Sequence, residues 1–198
     1  MGKTRRAKGP CRFACDCGQV SGQLSAQAVQ AGTRLECYCQ DCRAAQIALG
    51  QPDPAPGAVQ IFHTLPDGLE FDSGQDQLAV IRLSPKGLMR WYAACCNTPL
   101  FATLPNPKIP FLGLSANCLE HPEDLGKVQA RGFVPQPGGG TRMQGALTMV
   151  WGIATRGLSA RMSGAWRNTP FYDPDTGAPV VEPQVLDRAA RRALTDRS

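Results

Sequence analysis

The chain has 198 residues, of which 42% are hydrophobic and 19% are charged, and its formal net charge is +5. A chain of this length can bury a hydrophobic core, which excludes a miniprotein that needs metal ions or disulfides for lack of size. The 21 glycines and 17 prolines favour turns and short strands over a helical bundle. No window approaches the ~18 apolar residues of a membrane helix, so we expect no membrane partner.

The excess positive charge lies at the N-terminus. The first twelve residues contain no acidic residue and five basic ones, namely Lys3, Arg5, Arg6, Lys8 and Arg12. Residues 1–12 are therefore interpreted as a basic arm on a neutral body. No basic run is interleaved with aromatic residues, so we expect no nucleic-acid partner. Because no apolar stretch follows the arm, no secretory signal is predicted and we expect a cytoplasmic protein.

The first half of the chain is predicted to consist of short strands and turns. Period-two runs and turn residues place strands at residues 20–24, 34–39, 59–65, 69–71, 78–83, 88–92 and 99–103. The segments at 78–83 and 88–92 flank Ser84-Pro85-Lys86-Gly87 and form the clearest hairpin. The second strand of this hairpin ends just before Cys95 and Cys96.

The second half has a different pattern. Three glycines at 138–140 are interpreted as a flexible joint. Apolar residues then recur at helical spacing, at Leu147, Val150, Trp151, Ala154, Leu158, Met162 and Trp166. We expect this stripe to pack on the core or on a sister subunit, which would give a homodimer through the C-terminal helical segment. A membrane-surface or ligand-binding stripe is the alternative. Residues 184–194 are predicted to form a terminal helix.

Three cysteine motifs carry the chemistry of the sequence. They are Cys15-Asp16-Cys17-Gly18, Cys37-Tyr38-Cys39-Gln40-Asp41-Cys42 and Cys95-Cys96-Asn97-Thr98-Pro99. Cysteines two apart on a strand share a face, and the Cys39-x-x-Cys42 step adds a third thiolate from the following turn. Soft thiolates favour zinc over hard cations, so one or two zinc ions are predicted. An iron–sulfur cluster, redox pairs and buried free thiols are the alternatives.

The order of these motifs resembles the glutathione-dependent formaldehyde-activating enzyme family, which includes the CENP-V-like proteins. The resemblance runs from about Phe13 to Thr103 and implies a mainly β, zinc-holding "β-tent" of short antiparallel strands. We therefore divide the chain into the basic arm at 1–12, a zinc-binding domain at 13–115 and a partly helical C-terminal extension at 116–198.

The resemblance also implies two zinc sites. In the first, Cys15 and Cys17 join a late Cys-x-x-Cys motif, here represented by Cys96, to make a closed structural site. The second is an open site with three ligands, Cys37, Cys39 and Cys42. The sequence departs from the family at the late motif, where Ala93 and Asn97 replace the first cysteine and the final glycine. Cys95, Cys11, a water molecule or a carboxylate are the candidates for the fourth ligand.

Two classes of function follow from these motifs. The resemblance implies a carbon–sulfur lyase that condenses glutathione or another small thiol with formaldehyde or a related aldehyde at the three-cysteine zinc. Asp41 and His63 are the nearby candidates for acid–base work, although a core or surface role is the ordinary reading of His63. Arg90 is interpreted as a surface ion pair or a grip for an anionic substrate. The alternative function is a non-catalytic, zinc-stabilised module that binds protein or nucleic acid.

Overall fold

A computed structural model describes residues 9–195 of the chain. Twelve strands run through it, at Cys11–Ala14 (β1), Ser21–Leu24 (β2), Thr33–Cys37 (β3), Val59–Thr64 (β4), Leu69–Ser73 (β5), Leu78–Arg82 (β6), Met89–Ala93 (β7), Thr98–Thr103 (β8), Leu112–Ser115 (β9), Ala130–Pro135 (β10), Thr141–Gln144 (β11) and Gln184–Val185 (β12). Four α-helices accompany them, at Ala26–Ala31 (α1), Gln40–Ala48 (α2), Ala146–Ser163 (α3) and Arg188–Thr195 (α4). The prediction of a mainly β fold with a partly helical C-terminal part is confirmed.

The strands form two sheets. A three-stranded sheet has the order β1-β2-β5, and a nine-stranded sheet has the order β11-β10-β3-β4-β9-β8-β7-β6-β12. Most neighbours are antiparallel, while β10 runs parallel to β3 and β12 runs parallel to β6. Strands from beyond residue 115 thus extend the large sheet at both edges. The glycines at 138–140 lie in the turn between β10 and β11 rather than in a joint between domains.

The main core fills the space between the two sheets. Phe13 of β1 is fully buried, and its ring meets Phe71 and Phe101 edge-on at centroid distances of 5.6 and 5.2 Å. Phe13 pairs with Gly22 of β2, where an added Cβ would come within 2.6 Å of the ring. The aromatic contacts therefore connect the small sheet to β8 of the large one.

A buried hydrogen-bond network attaches residues after α3 to the same core. The Thr103 hydroxyl accepts a bond from Trp91 Nε1 and pairs with the Tyr172 hydroxyl, both at 2.9 Å. The Tyr172 hydroxyl also donates to the Leu104 carbonyl at 2.6 Å. The ring of Phe171 lies beside that of Trp91, with 5.0 Å between the two ring centroids. The polar ends of two large aromatic residues are thus satisfied inside an apolar region.

The predicted strand at 34–39 is too long. Strand β3 ends at Cys37, and Cys39 is the N-cap of α2, where its sulfur accepts a hydrogen bond from the Cys42 backbone N–H at 3.3 Å. Period-two analysis cannot detect this change because a cysteine that caps a helix and one on a strand look alike in sequence.

At the N-terminus, Lys3, Arg5, Arg6 and Lys8 lie outside the described residues. Arg12 lies within β1 and pairs with Asp72 at 2.8 Å and with Glu120 at 3.6 Å.

Helix α3 does not bury its apolar stripe in the core. Leu147, Trp151 and Met162 are 87%, 74% and 80% exposed. The residues that face the sheet are instead Met149, which packs against the buried cluster that contains Leu35 and Cys37, and Gly152, which lies over Thr33. The expectation of packing on the core is therefore wrong for this stripe. Across the part of the chain that the structure describes, no helix has the length and hydrophobicity of a membrane span.

Phe13 provides a test of how the sheets are connected. We expect Phe13→Ala to lower the free energy of unfolding by about 3–5 kcal/mol, because it leaves a cavity between the sheets. Ile109→Ala is the control, since Ile109 is 54% exposed and its truncation should change stability by less than about 0.5 kcal/mol. Equal effects in denaturant titrations of the two variants would contradict this account of the core.

Candidate metal centres

The first cysteine group has four members, contributed by two hairpin loops. Cys15 and Cys17 lie between β1 and β2, and Cys95 and Cys96 lie between β7 and β8. The sulfur of Cys17 is 3.2 Å from that of Cys95 and 3.5 Å from that of Cys15. Cys95 is also 3.8 Å from Cys15 and 3.7 Å from Cys96. These are the spacings of sulfurs that surround one tetrahedral cation.

The loop between β1 and β2 is shaped by short-range hydrogen bonds. The Gly18 amide donates to the Cys15 carbonyl at 2.9 Å, and Gly18 has a φ of +77°, in the left-handed region that favours glycine. The Val20 amide donates to the Cys15 sulfur at 3.3 Å. The Asp16 amide donates to the Thr98 hydroxyl at 3.0 Å, which joins this loop to the opposite one.

The loop between β7 and β8 explains how Cys95 enters the group. Adjacent residues on a strand would point apart, but residues 94–97 form a turn in which the Asn97 amide donates to the Ala93 carbonyl at 2.7 Å. Asn97 has a φ of +59° and occupies a left-handed position that asparagine tolerates better than most residues. Asn97 thus holds the left-handed position of the turn, and Cys95 supplies the fourth sulfur of the group.

Cys11 and Cys118 belong to neither of the cysteine groups that could hold a metal ion. The Cys11 sulfur is 4.0 Å from the His121 carbonyl oxygen, so Cys11, a candidate fourth ligand, takes no part. Cys118 is buried and its sulfur donates to the Ser115 carbonyl at 2.9 Å. Burial raises the pKa of both thiols, that of Cys11 to about 11.

The second group consists of Cys37, Cys39 and Cys42. Cys37 ends β3, Cys39 caps α2 and Cys42 lies in the first turn of that helix, and all three sulfurs lie within 4.8 Å of one another. Among residues 9–195, no further His, Cys, Asp or Glu joins these three sulfurs. The group therefore offers three protein ligands, whereas the first offers four.

Arg90 lies next to this group, a position that the sequence did not predict. Its guanidinium Nη1 lies 3.8 Å from the Cys42 sulfur and donates to it across the sheet. Nothing in the local sequence signals this contact, because 48 positions separate the two residues. The interpretation of Arg90 as a surface ion pair is replaced by that of a donor to a cysteine sulfur.

A cleft of about 680 Å³ opens beside the three-cysteine group. One wall belongs to residues 55–57, held against α2 by Arg43, which makes two 2.6 Å hydrogen bonds to Asp53. The other wall includes Phe133, which is 48% exposed and has a φ of +58°, uncommon for an aromatic residue. Cys37, Tyr38, Cys39 and Asp41 line the base. Two of the three sulfur-bearing residues thus face a space the size of a small ligand.

The donor sets suit a soft cation. Hydrogen bonds from Cys37 and Cys39 hold the pKa of Cys42 well below its usual value, while those from Cys39 and Cys42 raise the pKa of Cys37. In the first group, burial raises the pKa of Cys96 but hydrogen bonds from Thr98 and Cys17 outweigh it, giving a pKa of about 6. Crowded thiols of this kind cannot all ionise without a neighbouring cation, and a zinc or similar ion would provide it.

His63 lies outside both cysteine groups. Its ring meets Phe111 edge-on at 4.6 Å, and its Nδ1 is buried without a hydrogen-bond partner. Burial and the charge of Arg156 lower the pKa of His63 to about 4, so the ring is neutral at physiological pH. The core interpretation of this histidine is favoured over an acid–base one.

Comparison with known proteins places this architecture in a family. A family model described as a family of unknown function, DUF6151, matches residues 9–151. The chain belongs to this family. Both cysteine groups of this DUF6151 member fall inside the matched region, as do β1 to β11.

A solved structure can also be compared with this DUF6151 chain. A crystal structure of a Rhodobacter sphaeroides protein is similar over 59% of this chain and 96% of its own, with 21% sequence identity and a TM-score of 0.41. No curated protein matches the sequence.

The two groups are expected to contribute unequally to stability. The four-cysteine group bridges the two sheets across 78 positions, while Cys37 to Cys42 are neighbours in sequence. Cross-linking a long loop stabilises more than cross-linking a short one. We expect Cys96→Ser to lower the melting temperature by about 10 °C or more, and Cys39→Ser to lower it by less than half as much.

The measurement is calorimetry of purified, zinc-loaded protein with metal content determined on the same samples. Cys118→Ser is the matched control, because it makes the same chemical change at a buried thiol outside both groups. Each ligand variant should lose one bound ion and the control none. Equal losses of melting temperature in Cys39→Ser and Cys96→Ser would contradict the difference in roles.

Asn97 tests the geometry of the second loop. Asn97→Gly should keep zinc-loaded stability within about 1 kcal/mol, because glycine adopts the left-handed conformation without strain. Asn97→Val should cost roughly 2 kcal/mol or more, since a β-branched residue resists that conformation and would displace the Cys95–Cys96 turn. Similar melting curves for the two variants would show that the left-handed turn does not position the sulfurs.

Proposed function

We propose that this protein binds zinc at both cysteine groups and joins a small thiol to an aldehyde, or splits such an adduct, in the cleft beside Cys37, Cys39 and Cys42. The observation that carries the proposal is the difference between the groups. A set of four thiolates suits a closed structural site, whereas three thiolates beside a ligand-sized cleft suit an open one. The resemblance to glutathione-dependent formaldehyde-activating enzymes supports the same assignment.

Zinc is the metal that the ligands favour. All seven candidate ligands among residues 9–195 are cysteine sulfurs, and soft thiolates select zinc over magnesium or calcium. Zinc has no redox chemistry, which suits a reaction without electron transfer. When bound by Cys37, Cys39 and Cys42, it would supply a Lewis acid that polarises a carbonyl or lowers the pKa of a thiol.

The proposed reaction is an addition that balances without a co-reactant. The thiol sulfur forms a bond to the aldehyde carbon, the C=O π bond breaks, and the thiol proton passes to the oxygen, which becomes a hydroxyl. The reverse reaction releases both molecules. Asp41 is the carboxylate that lines the cleft, so it is the residue proposed to accept the proton from the thiol.

Arg90 offsets the weak Lewis acidity that is expected of a metal ion bound by three thiolates. Three thiolates make a metal ion electron-rich and therefore a weak Lewis acid. The guanidinium that donates to the Cys42 sulfur draws electron density from it and offsets one negative charge. In the proposed mechanism, Arg90 acts through Cys42 and is a positioning residue rather than one that contacts the substrate.

The test is the rate of hemithioacetal formation. Exchange spectroscopy with ¹³C-formaldehyde and glutathione should show a faster interconversion in the presence of zinc-loaded protein than in buffer alone. We expect Asp41→Asn to lower this rate by about 100-fold or more with zinc content unchanged, because a positioned base typically contributes that much. Cys39→Ser should abolish both the acceleration and one bound ion.

Cys118→Ser is the control and should match the wild type in rate and metal content. A wild-type protein with both ions bound that accelerates neither glutathione nor cysteamine addition would overturn the carbon–sulfur chemistry. The non-catalytic, zinc-stabilised module would then be the favoured function.

A further inference from the structure

Helix α3 presents a long apolar surface that no element among residues 9–195 covers. Five large side chains on its outer side are between 58% and 87% exposed, namely Leu147, Val150, Trp151, Leu158 and Met162. We call this set the α3 face. Taking roughly 150–200 Å² for each large side chain, these residues expose on the order of 600 Å². That equals the largest apolar patch of an ordinary monomer and approaches the ~800 Å² that one partner gives to a stable complex.

The two cations of α3 are hydrogen-bonded to backbone carbonyls of neighbouring segments. The helix has no acidic residue and two basic ones, Arg156 and Arg161, and the structure describes all of its residues. The Arg156 guanidinium donates to the Ala31 carbonyl at 2.8 Å, and that of Arg161 donates to the Lys108 carbonyl at 2.9 Å. The α3 face is therefore apolar along its centre. The guanidinium of Arg161 at its edge is hydrogen-bonded to the Lys108 carbonyl.

The spacing of the large residues has a two-fold pattern. Leu147 and Met162 are equally distant from the point between Ala154 and Thr155. Trp151 and Leu158 are equally distant from that same point. A face with this pattern is complementary to itself when a second helix runs antiparallel across it, as an interface with two-fold symmetry requires.

We propose that α3 pairs with α3 of a second copy of this chain, antiparallel and centred between Ala154 and Thr155. Leu147 of one copy then meets Met162 of the other, and Trp151 meets Leu158. The small Ala154 side chain is exposed at the crossing point, and the position beside Gly157 is open, so the backbones can approach closely there. Eighteen residues give a helix about 27 Å long, enough for a continuous seam.

A membrane surface fits this helix less well. Helices that lie on membranes carry lysine and arginine along a polar face that points to the lipid headgroups. In α3 the opposite side packs on the sheet through Met149 and Gly152, and both arginines bind backbone carbonyls. A second copy of the chain is therefore the occupant that the chemistry favours.

The test uses sedimentation equilibrium of the full chain. Wild-type protein should have twice the 21.2 kDa mass of one chain. We expect Trp151→Glu to raise the dimer dissociation constant by more than about 30-fold, as for a central aromatic residue of an interface. Val180→Glu is the matched control, because Val180 is 52% exposed outside α3 and should leave the dimer unchanged. Circular dichroism melts would verify that both variants fold.

A charge exchange tests the antiparallel register. Leu147→Glu and Met162→Lys should each weaken the dimer, and the double variant L147E/M162K should recover much of it, because each glutamate then faces a lysine of the other copy. A parallel pairing would place like charges together and give no recovery, which would overturn the register. A monomeric wild type would overturn the dimer itself. Co-flotation of that monomer with phosphatidylcholine–phosphatidylserine vesicles would assign the α3 face to lipid instead.

Discussion

Crowding among cysteine sulfurs is the constraint on which the rest of this structure depends. Two hairpin loops from different sheets bring Cys17 and Cys95 to 3.2 Å of each other. Sulfurs this close cannot all be ionised unless a cation lies between them, so the binding energy of such a cation would help to hold the sheets together. The aromatic core around Phe13 connects the same two sheets a short distance away. A metal ion bound by the four cysteines would thus stabilise the same junction as core packing does.

The second cysteine group uses a different local structure for a different purpose. A strand end, a helix cap and a first helical turn deliver its sulfurs, so the group needs little of the remaining fold to exist. What the fold adds is its surroundings. Arg90 reaches Cys42 from across the sheet, and Phe133 and residues 55–57 border the cleft. Local structure forms the ligand set, while distant segments supply its surroundings. Substitutions in those segments can therefore change the chemistry of the site without removing its ligands.

Helix α3 shows how the same sequence pattern can serve packing outside the chain. Its apolar residues recur at the spacing of a core helix, yet the helix is joined to the sheet through Met149 and Gly152 on its other side. Exposing this surface to water is unfavourable in proportion to its area. Self-association would remove that cost and would leave both cysteine groups of each copy on separate elements from the interface.

The sequence by itself determined the mainly β class, the hairpin at residues 78–92 and the candidate ligand set of Cys37, Cys39 and Cys42. These are local properties, since turn residues, two-residue alternation and ligand spacing are visible within a few positions. The sequence did not determine the length of β3, because no local pattern marks Cys39 as a helix cap. Tertiary structure alone decided that Cys95 completes the first group, that Arg90 contacts Cys42 and that the α3 stripe faces outward. Each of these features depends on a turn geometry or on contacts between residues far apart in the chain. The local sequence pattern encodes neither the turn geometry nor those contacts.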